Sequence, residues 1–103
     1  MNGQRFAFHG YLPVQEKPLA EALKELERES RRLGRTQIFI ETPYRNDRTL
    51  AAMLRTLAPE TSLCIAAELT LPGETVNTRT VAQWKGRAPA LKGRPAVFLL
   101  LAE

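Results

Sequence analysis

A chain of 103 residues is long enough for one domain with one hydrophobic core, without disulfides or a structural metal. Apolar residues make up 44% and charged residues 25%, the usage of an ordinary globular domain. The longest apolar run, 96–102, falls far short of the ~20 residues a membrane-spanning helix needs. One cysteine, Cys64, excludes an internal disulfide, and no Cys/His cluster has zinc spacing. No charged segment followed by an apolar core opens the chain, so a secretion signal is not expected and the cytoplasm is. The net charge of +4 is unevenly spread. Between Thr75 and Ala102 lie Arg79, Lys85, Arg87, Lys92 and Arg94 and no acid. Such a stretch either contacts phosphate or is a solvated loop.

Arg5 to Leu12 is expected to be a strand, with Phe6, Phe8 and Gly10 on one face and Ala7, His9 and Tyr11 on the other. A helix over 18–33 follows, with Pro18 in the first helical position. Leu19, Leu23, Leu26, Ser30 and Leu33 form its buried stripe, and Glu21, Lys24, Glu25, Arg28 and Arg32 its solvent face. Gly34 is the expected left-handed stop. Thr36 to Glu41 is β-branched and aromatic, hence a second strand. Asn46 or Asp47 is the expected cap of a second helix carrying Leu50, Met53, Leu54 and Leu57, ended by Pro59. Leu63 to Ala67, almost wholly apolar, is expected to be a central strand. Leu71-Pro72-Gly73 is a turn, and Val76 to Arg79 a short strand. Thr80 caps a short helix that holds Trp84 and closes at Gly86. Pro95 to Leu101 is a last strand, apolar on both faces and so buried. This order predicts an α/β (or α+β) domain: a mixed sheet of four to six strands with helices packed on it.

His9 is the only histidine and lies in a strand, so it reads as structural rather than as half of a catalytic pair. Cys64 reads as a small core residue. Glu41 to Asn46 follows a strand and precedes a helix, the place where open α/β sheets bind ligands. Arg45 there either grips a carboxylate or phosphate or pairs with Glu41 or Asp47. Glu68 to Glu74 also follows a strand and holds two carboxylates suited to acid–base work. No glycine-rich nucleotide loop and no HExxH are present.

Phe8-His9-Gly10-Tyr11-Leu12-Pro13 resembles the F-x-G-[FY]-L-P that opens the C-terminal half of the tetrapyrrole-methylase-type (class III) methyltransferases. That family includes the bacterial ribosomal small-subunit 2′-O-ribose methyltransferases. Ile38 to Arg45 resembles their I-[FI]-x-E-[SA]-P-H-R, with Thr42 for the small residue and Tyr44 for histidine. Glu68 to Glu74 resembles E-L-T-K-x-x-E, with Leu71 in place of lysine. The two replacements mark a paralogous branch.

The resemblance implies the C-terminal domain of a two-domain enzyme that uses S-adenosylmethionine, inactive alone, whose partner is an N-terminal domain absent from this sequence. It implies that Thr42, Ala67, Glu68, Pro95 and Ala96 face the cofactor. Tyr44 and Arg45, with Tyr11, face the methyl acceptor, an RNA or a small molecule, and Glu41 or Glu68 takes its proton. The loops 41–46 and 67–74 are then expected to flank one groove. Two other readings stand beside this one. The first is a basic RNA-binding module, against which the strands offer no clear surface aromatics, since Phe6 and Phe8 read equally as core. The second is a homodimerisation domain. No reading calls for a membrane or a metal.

Overall fold

The computed structural model describes residues 5–103. The elements are β1 (Phe6–Tyr11), α1 (Glu16–Leu33), β2 (Thr36–Glu41), α2 (Asn46–Thr56), β3 (Ser62–Ala67), β4 (Thr75–Thr80), α3 (Val81–Lys85) and β5 (Ala96–Leu101). The strands form one mixed sheet in the order β1-β2-β5-β3-β4. β1 and β2 are parallel, and β5 runs antiparallel to both β2 and β3. β1, β2 and β3 therefore point the same way, and their C-terminal ends meet the start of β5 at one edge of the sheet. Glu41 and Ala67 both pair with Ala96, so three strand ends stand in one row. This is the five-stranded mixed α/β sheet that the pattern predicts.

Both long helices follow from their apolar stripes. α1 buries Leu19, Leu23, Leu26 and Ser30, and Gly34 ends it in the left-handed region at φ 62°. It begins two residues earlier than expected, at Glu16, so Pro18 sits third in the helix. Leu19 makes the first intrahelical bond, to the Gln15 carbonyl at 3.0 Å, so Pro18 forfeits none. α2 is not capped by Asn46 or Asp47, contrary to expectation. Asn46 instead donates from Nδ2 to the Arg94 carbonyl at 2.6 Å, and Asp47 Oδ1 accepts from the Leu91 amide at 2.7 Å. Both side chains fasten the α3–β5 connection to the start of α2. α3 has the expected cap, with Thr80 and Gln83 bonding each other's backbone amides reciprocally.

All three helices pack on one face of the sheet. That face carries Phe39, Leu63, Ile65, Phe98 and Leu100, all in the core, with the rings of Phe39 and Phe98 stacked at 5.5 Å. Two buried side chains on this side are fastened to distant segments. Glu27 accepts from the Ala58 amide and the Thr61 hydroxyl, and Trp84 Nε1 donates to the Leu63 carbonyl at 2.7 Å. The opposite face has no helix over it. It presents Phe6, Phe8, Ile38, Ile40, Val97, Leu99 and Val76 in register across the sheet.

β3 is an interior strand between β5 and β4, as its apolar run predicts. The one-sided layering decides two further points. β5 is apolar on both faces but covered on one, leaving Val97 and Leu99 half-buried. Phe6 and Phe8 are surface residues, 60% and 61% exposed on an edge strand. The alternation in β1 also breaks at Gly10, whose φ of +68° accompanies a bulge between Phe8 and Tyr11. Tyr11 thereby pairs with Ile40 and joins the face of Phe6 and Phe8 rather than that of His9.

Candidate functional site

The strand ends gathered at one edge of the sheet form an open groove of about 350 Å³, near the lower bound of the ~300–1,000 Å³ range of ligand sites. Its lining comes from four segments: Tyr11 after the bulge of β1, Ile40 to Pro43 around the end of β2, Ala66 and Leu69 around the end of β3, and Pro95 to Val97 opening β5. The loops 41–46 and 67–74 therefore flank one groove, as expected from parallel strands.

Glu41 organises the first of these loops. Its carboxylate is buried, with 2% of the side chain exposed, and both oxygens are engaged. Oε1 accepts from the Thr42 amide at 2.8 Å and from Arg45 Nε at 3.1 Å, and Oε2 accepts from the Thr49 hydroxyl at 3.0 Å. Arg45 thus pairs with Glu41, the second of the two alternatives open from its position. A carboxylate that accepts from three donors is fixed in orientation, which suits it to positioning the loop.

The second loop carries two non-glycine residues in the left-handed region, Glu68 at φ 53° and Thr70 at φ 65°. Each costs about 1 kcal/mol or more of backbone strain. Short-range bonds hold it. The Glu68 amide donates to the Pro95 carbonyl at 2.8 Å, the Leu71 amide to the Glu68 carbonyl, and the Thr70 amide to Glu74 Oε1. Glu68 Oε2 pairs with Arg94 Nε at 3.2 Å, tying this loop to the residue before Pro95. A Cβ at Gly73 would run into the Glu68 carboxylate, so glycine there keeps the pair in place.

Of the residues expected at the site, Tyr11, Glu41, Thr42, Pro95 and Ala96 line the groove. Ala67 and Glu68 do not. Ala67 faces the helices and is fully buried, Glu68 turns to Arg94, and their neighbours Ala66 and Leu69 meet the groove instead. Tyr44 stands 83% exposed on the rim and lies outside the lining, as does Arg45. Ile40, Ala66, Leu69 and Val97 were missed. The signal for three of them is the two-residue period, which sets Ile40, Ala66 and Val97 on the face opposite Phe39, Ile65 and Phe98. His9 is structural: Nε2 donates to Gln37 Oε1 at 2.8 Å, the amide orientation being set by Gln37 Nε2 donating to the Leu26 carbonyl. Cys64 is buried. Among the described residues no group of His, Cys, Asp or Glu could hold a metal, and no helix is long and apolar enough to cross a membrane.

No model of a known protein family matches the chain. It is 36% identical over 88 residues to the ribosomal RNA small subunit methyltransferase I of Pasteurella multocida, covering 82% of this chain and 30% of that protein. It is 36% identical over 78 residues to the Vibrio cholerae protein of the same name, covering 76% and 26%. The chain thus spans less than a third of the length of these relatives. Among solved structures, the methyltransferase CobJ matches 97% of this chain with 42% of its own, at a TM-score of 0.57 and 18% identity. The uroporphyrin-III C-methyl transferase of Thermus thermophilus, complexed with S-adenosylhomocysteine, matches 98% of this chain with 44% of its own, at a TM-score of 0.55 and 15% identity. The chain is homologous to one segment of the ribosomal RNA methyltransferases, within the tetrapyrrole-methylase family, and has the fold of part of the class III tetrapyrrole methyltransferases.

Proposed function

We propose that this homologue of one segment of the tetrapyrrole-methylase-type methyltransferases is their C-terminal domain. On this reading it supplies one wall of a cleft for S-adenosylmethionine and a methyl acceptor, and a companion N-terminal domain supplies the other. The observation that carries the reading is the convergence of Tyr11, Thr42, Ala66, Pro95 and Ala96 on one groove at the parallel strand ends. The groove is open and largely apolar, which fits one side of an elongated ligand with an aromatic base.

The cofactor supplies an electrophilic methyl group on a sulfonium, so the protein's task is mainly to position the acceptor. In this reading Thr42, Pro95 and Ala96 contact the cofactor, largely through backbone. Ala67 and Glu68 shape that wall from behind by placing Ala66 and Leu69. Tyr11, Tyr44 and Arg45 face the acceptor. Glu41 holds Arg45 and the Thr42 amide in place, and Glu68 is the remaining candidate proton acceptor once Arg94 is drawn away. The names of the 36%-identical relatives favour RNA as acceptor over a tetrapyrrole, and a cytoplasmic setting with it. A second reading, a homodimer, is favoured by the apolar sheet face that no helix covers.

Titration calorimetry tests the shared cleft. Half of a micromolar site's contacts, about −4 of −8 kcal/mol, leaves millimolar affinity. The chain alone is expected to bind S-adenosylmethionine in that millimolar range, and a two-domain form in the micromolar range. Tight, stoichiometric binding by the chain alone would show the groove to be a complete site and refute the reading.

A further inference from the structure

A second cleft, of about 170 Å³, lies on the helix-bearing face beside β4 and shares no lining residue with the groove. Three arginines line it: Arg79 from β4, Arg87 after α3, and Arg94 before β5. Thr75 and Asn77 add polar groups, Trp84 adds an aromatic wall, and no carboxylate is in the lining. We infer that this cleft is a phosphate-binding site, formed where β4 and the α3–β5 connection bring the three guanidinium groups together.

The state of each arginine carries the inference. Arg87 is exposed, and among the described residues its guanidinium makes no hydrogen bond or ion pair. Arg79 lies with its guanidinium carbon 4.8 Å from the centre of the Trp84 ring, a cation–π contact that orients the group without neutralising it. Trp84 is itself fixed by its bond to the Leu63 carbonyl, so Arg79 rests on a rigid support. Arg94 gives Nε to Glu68, outside the lining, while its terminal nitrogens make only 3.4 Å contacts to the Ala90 carbonyl and the Thr75 hydroxyl. Three basic side chains thus line one cleft with one carboxylate engaged among them, a concentration of positive charge that attracts an anion.

Size and chemistry define the ligand class. The volume is roughly half the ~300 Å³ at which small-molecule pockets begin, so the cleft admits an anionic group rather than a whole nucleoside. Guanidinium forks match phosphate oxygens bidentately. The phosphate is either a phosphodiester of an RNA strand crossing the surface or a free phosphate. Of the five basic residues of 75–102 only Arg94 is paired with an acid among the described residues, and Lys85 and Lys92 are also exposed, which favours the strand. The site does not depend on the methyltransferase reading, and its test uses no cofactor.

Trp84 is the only tryptophan, so its fluorescence reports events at Arg79 directly. The 103-residue chain is titrated with inorganic phosphate by fluorescence, and with a labelled ten-nucleotide single-stranded RNA by anisotropy at several salt concentrations. Saturable binding of both is expected. Arg87→Gln should weaken RNA binding several-fold and lower the salt slope by about one, and adding Arg79→Lys should weaken it further. Arg31→Gln with Arg32→Gln, on the exposed face of α1, should leave the fluorescence response unchanged. Phosphate binding lost in Arg87→Gln, without RNA binding, supports the site with free phosphate as the ligand. No response to either probe, or equal losses from the α1 and Arg87 variants, overturns the inference. Unchanged melting of Arg87→Gln secures the comparison.

Discussion

The Thr49 hydroxyl donates to Glu41 Oε2 at 3.0 Å, joining the first turn of α2 to the last residue of β2. The same carboxylate holds the Thr42 amide and Arg45 through its other oxygen. One buried acid therefore sets the geometry of the loop that borders the groove, and its removal should be felt as lost stability.

Glu41→Ala should cost about 2–4 kcal/mol, because it leaves a buried hydroxyl, an amide and a guanidinium without their acceptor. Glu41→Gln keeps the shape and part of the bonding and should cost less. Urea unfolding of both variants measures this. Unaltered stability in Glu41→Ala would show the carboxylate to be dispensable to the fold and would return it to consideration as a reacting group.

Trp84→Phe should cost about 1–3 kcal/mol. The ring is nearly kept, but the Leu63 carbonyl loses its 2.7 Å donor in the core. Arg79 also loses the better of two aromatic supports. Thermal melting followed by circular dichroism serves here, since the fluorophore is gone. A melting temperature equal to the parent's would mean that water or another donor replaces the indole.

Phe8→Asp tests the uncovered sheet face. Phe8 is exposed on an edge strand, so monomer stability should change by no more than ~0.5 kcal/mol. Self-association through the face should nonetheless fall sharply, since a charge would have to be desolvated there. Sedimentation velocity over a concentration series separates the two effects. Equal association by parent and variant would place any dimer contact elsewhere.

Glu25 should titrate below the ordinary glutamate range. The hydrogen bond from Arg28 is the main cause, followed by the charge of Arg28. Folding lowers this pKa, so the pair's contribution is present above the unfolded value and is lost as pH falls through the lowered one. The pair is exposed, so the effect on overall stability should be small. Carbon-detected NMR titration reads the Glu25 carboxyl directly, and Arg28→Gln should return it to the usual range. A midpoint that does not move in that variant would assign the shift to something other than the pair.

Local order was legible in the sequence wherever one residue decides its own neighbourhood. Leu19, Leu23 and Leu26 define one helix face by spacing alone, Gly34 stops that helix, and Thr80 with Gln83 starts another. These effects act within a turn or two of chain, so no knowledge of distant residues is needed. The three strand-end blocks were legible for a related reason, because each couples a strand to a turn and together they carry the family resemblance.

What lies across the sheet was decided by the tertiary structure. Whether Phe6 and Phe8 are core or surface depends on which face receives the helices, and alternation in a strand is the same either way up. Asn46 and Asp47 read as caps because local chemistry allows it, yet residues 91–94, more than forty positions away, claim both side chains. Glu41 looked free to act until Thr49 and Arg45 closed on it. Arg79, Arg87 and Arg94 form a cluster only because β4 turns back along β3 and the connection to β5 folds over it. Composition supplied the charges, and the pairing of distant segments determined which of them were left without a partner.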